Sequence, residues 1–119
     1  MVTQNDLAKL GEELAVEYLQ NEGYSIVATN WVFQKAEIDI LATKDNVLAV
    51  IEVKTRSRLD LGLPQDFVSP KKIRLLVMAV NEYLISNDLD CETRFDIVAI
   101  SKEGNKFEME HLKDAFYHF

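Results

Sequence analysis

The sequence predicts an α/β fold, a mixed central sheet flanked by helices, in the order helix, three-stranded meander, helix, two strands. Apolar residues recur at helical spacing in two segments, Leu7, Leu10, Leu14, Ala15 and Tyr18, then Ile73, Leu76, Val77, Val80 and Leu84. Between them Val47-Leu48-Ala49-Val50-Ile51 is a continuous apolar run, the pattern of a strand buried on both faces at a sheet centre. At 119 residues and 48% hydrophobic content the chain is expected to form one domain, residues 1–119, with a real core.

Asn5 is expected to cap the first helix, which runs to about Glu22 with Gly23 as its stop. At about 100° per residue Glu12 falls on the shoulder of the apolar stripe, near Ala8 and Leu19, while Glu13 and Glu17 turn outward. Glu12 there either reaches a site at the sheet edge or serves as an ordinary flanking acid. Tyr24 to about Phe33 reads as a strand, with an irregularity at Thr29-Asn30 before Trp31. Strands near Glu37 to Thr43 and Val47 to Lys54 follow, joined by a tight polar turn at Lys44-Asp45-Asn46. Alternation along the first assigns Ile38, Ile40 and Ala42 to one apolar face and leaves Glu37 and Asp39 on the other.

Ser69 as cap and Pro70 in the first position mark the second helix. Lys71, Lys72 and Arg74 crowd its first turn, where the helix dipole disfavours cations, so an external anion such as phosphate suits the placement. Arg94 to Ile100 and Lys106 to about Leu112 read as strands separated by Glu103-Gly104-Asn105, ahead of an apolar tail from Ala115 to Phe119. Ser57 to Ser69, holding Gly62 and Pro64, is the one long connection and a candidate mobile flap.

Cys91 is the single cysteine, which excludes an internal disulfide or a cysteine-rich zinc site, so a metal would use oxygen ligands. No apolar stretch approaches the roughly 20 residues of a membrane helix, and the first residues lack the basic and apolar regions of a signal peptide. The expectation is a cytoplasmic protein without membrane contact. A net charge of −7 argues against nucleic-acid binding by bulk charge. Its distribution is uneven: Lys54 to Arg74 holds six basic residues against Asp60 and Asp66, a local +4 that leaves −11 elsewhere. That lobe is either a focused anion-binding face or a solvated loop and helix start.

The chemistry concentrates at Glu37-Ile38-Asp39 and Glu52-Val53-Lys54. In an extended strand Glu52 and Lys54 share a face while Val53 enters the opposite layer. A carboxylate and an ammonium ending a buried strand are costly unless they pair or bind a cation. Magnesium prefers oxygen ligands and is commonly held by one or two carboxylates plus a substrate phosphate. Asp39 and Glu52 suit that role, with the Val53 carbonyl as a further ligand and Glu12 as an outer or second-metal carboxylate. Lys54 would orient or help deprotonate a water and stabilise charge developing on phosphate. Thr55, Arg56, Arg58, Lys71, Lys72 and Arg74 are the candidate nucleic-acid contacts.

At Asp39 and Glu52-Val53-Lys54 the chain resembles the PD-(D/E)xK nuclease superfamily. The wider set Gly11-Glu12, Leu14-Ala15, Tyr18-Leu19, Gly23-Tyr24, Asn30-Trp31, Glu37-Ile38-Asp39, Glu52-Val53-Lys54-Thr55-Arg56 and Arg94-Phe95-Asp96 looks like the YraN-like family of small bacterial predicted endonucleases. The spacing of Glu12, Asp39, Glu52 and Lys54 is similar to that of archaeal Holliday junction resolvases. The resemblance implies a restriction-endonuclease-like fold and a Mg²⁺-dependent endonuclease, with Mn²⁺ as substitute, acting on DNA and on branched or structured DNA in particular. A homodimer is expected under junction cutting alone. The family pattern has glycine before Glu-Ile-Asp where this chain has Ala36, a change that strains the backbone if φ is positive there.

Rival readings remain. The same fold can bind nucleic acid or a protein partner without cleaving, and Glu52 and Lys54 can form a purely structural ion pair. Asp96 reads as a paired structural acid or a further ligand, and His111 and His118, isolated near the C-terminus without metal or triad spacing, as structural or exposed residues. Tyr24, Trp31 and Phe33 either stack on bases or pack in the core.

Overall fold

The computed structural model describes residues 3–57 and 68–116. The candidate flap over residues 58–67, with Arg58, and His118 lie outside the described residues. Helix α1 spans Gln4–Asn21 and is capped by Thr3, not Asn5. Thr3 Oγ1 accepts from the Asp6 amide (3.0 Å), and the Asp6 carboxylate accepts from the Thr3 amide, a reciprocal pair that starts the helix two residues earlier than an Asn5 cap would. At the other end Gly23 takes φ +94°, and the Tyr24 and Gly23 amides donate to the Leu19 and Gln20 carbonyls, closing the last turn.

Strands β1 (Ser25–Phe33), β2 (Ala36–Lys44) and β3 (Val47–Ser57) form the antiparallel meander. Asp45 and Asn46 both have positive φ (53° and 62°), the two-residue hairpin loop whose twist matches the strands it joins. Helix α2 (Pro70–Ser86) crosses over to β4 (Glu92–Glu103), which lies parallel to β3, and β5 (Lys106–Leu112) returns antiparallel, giving a five-stranded mixed sheet in sequence order. Ser69 caps α2 by accepting from the Lys72 amide at 3.1 Å, and Pro70 opens it, as the local chemistry predicts. No described helix is long and apolar enough to cross a membrane.

The two helices cover opposite faces. Leu48 and Val50 of β3 join Leu76, Ala79 and Val80 of α2 in one core, whereas Ala49 and Ile51 join Ala15 and Leu19 of α1 in the other. Even-numbered β3 residues therefore face α2 and odd-numbered ones face α1, which puts Glu52 and Lys54 on the α2 side and Val53 beneath α1. Ala36 has no positive φ and lies extended opposite Phe33, so its side chain fits without backbone strain.

The simple alternation expected of β2 is wrong. Ile38 packs in the α2-side core, but Ile40 and Ala42 pack in the α1-side core, so the faces slip by one residue around Asp39. The neighbouring β1 is irregular here too, with a register shift between Ile26 and Ala28 and a positive φ of 50° at Asn30. Beyond this point β2 and β3 part: their ladder runs from Lys44 opposite Val47 to Ile40 opposite Ile51 and stops, while β3 stays paired with β4 as far as Ser57 opposite Lys102. The sheet is forked, and the fork opens at Asp39 and Glu52.

On the α1 face polar groups gather around Asp96, which lies opposite Ile51 on the neighbouring strand. Arg94 donates from Nε and Nη2 to both Asp96 oxygens (2.9 Å each) and from Nη2 to the Tyr24 hydroxyl (2.7 Å). The Asp114 amide donates to Asp96 Oδ1 (3.0 Å). His111 Nε2 donates to Asp96 Oδ2 (2.8 Å), because a carboxylate only accepts, and its Nδ1 meets the Tyr18 hydroxyl at 2.9 Å. Of the two readings of His111 the structural one holds, since it is tied into a network, and Tyr24 is a network and core residue rather than a stacking platform. The described part of the tail docks through the Ala115 amide on the Phe95 carbonyl (2.8 Å) and Phe116 against the Phe95 ring.

Candidate functional site at the sheet fork

Where the β2–β3 ladder stops, the Asp39 side chain takes the place of a backbone acceptor. Its Oδ2 accepts from the Val53 amide at 2.9 Å and spans the opening of the fork. Opposite it Glu52 is 0% exposed, an unusual position for a carboxylate. Neither Glu52 oxygen receives a hydrogen bond of good geometry, although Lys72 Nζ stands 2.7 Å from Oε2 as an ion pair. Lys72 is the third residue of α2, so the end of that helix delivers an ammonium to the fork.

From the α1 side Glu12 approaches the same acids. With its amide nitrogen turned toward them, Asn30 donates to Glu12 Oε1 (2.9 Å) and Glu37 Oε1 (3.2 Å), linking the helix to the first two strands. The positive φ of Asn30 is one that asparagine tolerates better than most residues. Gly11, beside Glu12, is a close approach of α1 to β3: a Cβ there would meet Thr55 Oγ1 at 1.9 Å. The Thr55 hydroxyl is buried under Gly11 without a hydrogen bond. Thr55 therefore turns into the α1–β3 contact, away from the face that carries Lys54, and does not present its hydroxyl to a substrate.

The electrostatics follow from burial and crowding. Desolvation pushes the Glu52 carboxyl up to about 7, the Asp39 charge adds to the rise, and Lys72 and Lys54 oppose it. Asp39 is also raised by burial and by Glu37, against the pull of the Val53 amide, Lys72 and Lys54. Glu12 is raised by burial, Asp39 and Glu37, with Asn30 opposing. Burial alone would lower Lys72, but Glu52, Asp39 and Glu37 outweigh it and hold the ammonium above its ordinary value. Asp39, Glu52, Lys54 and Lys72 thus act on one another electrostatically, and Glu12 joins them through Asp39.

A cleft of about 380 Å³ opens from this point along α2, lined by Lys35, Glu37, Asp39, Ser69, Lys71 and Lys72 among others. Lys35 belongs to the β1–β2 turn and, with Asn30, is a site residue that sequence reasoning missed; its signal, a lysine two residues before an acid, is too common to stand out. Lys71 and Arg74 are exposed on the first turns of α2. Arg56, on the face of Lys54, lines a separate depression of about 220 Å³ with Ser101, Glu108 and Glu110.

Among the described residues no group of three or more His, Cys, Asp or Glu encloses a metal position by itself. Two carboxylates with hard oxygen donors, one of them buried with a lysine as its one close partner among the described residues, nevertheless fit an ion that keeps part of its water shell. The Val53 carbonyl belongs to the same stretch of β3.

Residues 11–100 match the family model described as uncharacterised protein family UPF0102. The chain belongs to that family. A UPF0102 protein of Flavobacterium psychrophilum is 66% identical over 119 residues, covering all of both chains. One of Flavobacterium johnsoniae is 58% identical over 123 residues, again covering all of both. A Bacteroides fragilis member is 44% identical over 117 residues, 98% of this chain and 97% of its own. The matched span of this UPF0102 chain takes in every residue gathered at the fork, from Glu12 to Lys72.

Proposed function

We propose that this UPF0102 protein is a metal-dependent nuclease on a restriction-endonuclease-like fold, hydrolysing phosphodiester bonds in DNA. One observation carries the reading: Glu52 is fully buried, has Lys72 as its one close polar partner among the described residues, and stands beside Asp39 where the sheet forks onto a cationic cleft. A carboxylate that served structure alone would be expected to be satisfied. Asp39 and Glu52 would hold Mg²⁺, or Mn²⁺ in its place, and the bound ion would neutralise phosphate charge and make a water more nucleophilic.

Hydrolysis joins the water oxygen to phosphorus as the phosphorus–oxygen bond to the leaving sugar breaks. The water gives up a proton and the leaving oxygen gains one. Lys54, sharing the face of Glu52, supplies positive charge where the phosphoryl oxygens become more negative and orients the attacking water. Lys71, Lys72 and Lys35 line the cleft that would receive the phosphate backbone. Glu12, raised by burial and joined to Glu37 through Asn30, is an outer acid that fixes the placement of the others.

The net charge of −7 favours a substrate bound through this local cationic edge rather than through bulk attraction, which suits a branched or otherwise shaped DNA. The test is Mg²⁺- and Mn²⁺-dependent cleavage of a four-way junction, a flap, a duplex, single-stranded DNA and RNA, with Asp39→Asn as control. Asparagine can still accept from the Val53 amide, so the control keeps the fork closed while removing the charge. Cleavage by the native protein that the control loses supports the reading and names the substrate. Tight binding without cleavage of any substrate overturns it in favour of a recognition module.

A further inference from the structure

We propose that Lys72 is the resident counter-ion of Glu52 and exchanges from that carboxylate to a phosphate oxygen when a divalent cation takes Glu52. This rests on the metal-dependent reading above and assigns Lys72 a switching role within it. Three observations meet at this side chain. Its Nζ lies 2.7 Å from Oε2 of a carboxylate that has no other close polar partner among the described residues, so the ammonium is all that neutralises Glu52 among the described ion pairs. A divalent cation at that oxygen would stand within ion-pair distance of the ammonium, and the two like charges would repel there.

The second observation is freedom to leave. The Lys72 side chain is 37% exposed and lines the cleft of about 380 Å³, while its backbone is fixed by the Ser69 cap at 3.1 Å. A lysine stem is a flexible tether carrying a compact charge, able to rotate from the fork into the cleft without moving the helix. The third is its destination. Lys71 and Lys35 line the same cleft, so an ammonium arriving there joins cations aimed at a common anion. In the metal-free protein Lys72 keeps the buried acid neutralised; in the loaded protein it becomes a phosphate contact. Metal entry and substrate grip are then coupled through one side chain.

The exchange is read by calorimetry of Mn²⁺ binding to the full chain without DNA, comparing native protein, Lys72→Met and Lys71→Met. Removing the competing charge should tighten Mn²⁺ binding on the order of tenfold in Lys72→Met, and by less than about twofold in Lys71→Met. The second readout is the salt dependence of binding to a short DNA duplex. With Ca²⁺ present Lys72→Met should lower the log–log slope by about 0.9, one phosphate contact. In EDTA the slope should not change, because native Lys72 is then held by Glu52. Unaltered Mn²⁺ affinity, or the same slope change with and without metal, overturns the exchange and leaves the nuclease reading standing. No Mn²⁺ binding by any of the three proteins overturns both. Should Lys72→Met not fold, the native protein answers by nuclear magnetic resonance of its lysine ammonium groups. Mg²⁺ should shift the Lys72 signal and not that of Lys71, and an unmoved Lys72 signal at saturation sinks the proposal.

Discussion

Asp96 and Glu52 are both withdrawn from solvent, on adjacent strands and opposite faces of one sheet, yet their surroundings differ in kind. Asp96 accepts from Arg94 through both oxygens, from His111 and from the Asp114 amide. Burial alone would raise its carboxyl, and these donors together hold it below its ordinary value. Glu52 has Lys72 alone at close range and is pushed up to about 7. The same cost of desolvation is offset at one site by the protein itself and at the other left open. Burial by itself therefore says nothing about function; unfilled hydrogen-bonding capacity at a buried charge does.

The largest expected effect falls on the satisfied acid. Asp96→Ala leaves the Arg94 fork and His111 without their acceptor and should cost about 3–5 kcal/mol of stability, read from urea unfolding with an unchanged slope. A loss below about 1 kcal/mol would mean that the network closes nothing, and the contrast with Glu52 would collapse.

Next comes the pH dependence, where the two acids should act with opposite signs. Glu52 has a folded pKa of about 7 above its ordinary 4.5, so between those values the folded state keeps a proton that the unfolded chain has lost. Its contribution is full below pH 4.5 and falls by up to about 1.4 kcal/mol per pH unit as pH rises toward 7, levelling beyond. Asp39 and Glu12, also raised, act in the same direction. Asp96, depressed from 3.8, stabilises above that pH and loses its contribution as pH falls through its folded value. Glu52→Gln should flatten the decline toward neutrality and Asp96→Asn the loss in acid; unfolding free energies measured from pH 3 to 8 on the three proteins decide it.

A smaller effect probes how the fork is held. Gly11→Ala drives a methyl group into the Thr55 hydroxyl and should cost about 1–3 kcal/mol, with much of the loss recovered in the double variant with Thr55→Ala. Full additivity of the two changes would show that the close approach is not the cause. Smallest of all, Glu52→Gln at pH 8 should remain within about 1 kcal/mol of the native protein, since the lost attraction to Lys72 is offset by the desolvation cost that goes with the charge. A loss above about 3 kcal/mol would make Glu52 a second structural acid and favour the ion-pair reading over the metal site.

Much of the fold was legible because its signals are local. Ser69-Pro70 and Gly23 mark helix ends through their own backbone preferences, and Lys106 to Leu112 is a strand between turn residues. The Thr3 cap was missed because Asn5 is an equally good cap by type, and the choice was settled by Asp6 reaching back to the Thr3 amide. The slip of faces between Ile38 and Ile40 was not legible, since it arises with irregularities in the neighbouring strand rather than in β2's own pattern. His111 looked isolated because its partners Tyr18 and Asp96 lie 93 and 15 residues away. At the fork the acids were visible as residue types on adjacent strands. What the sequence concealed was Lys72, whose place at a helix start suggests an anion outside the protein and whose partner is one inside it.

The clasp between Asp39 and the Val53 amide separates the two fork acids in a further respect. Position 39 must bear an acceptor to hold the last point where β2 and β3 meet, whatever the protein does. Position 52 lies under no such demand. On this fold alone there is a reason to keep an oxygen at 39, whereas leucine at 52 would be tolerated if the lysine of α2 changed alongside it.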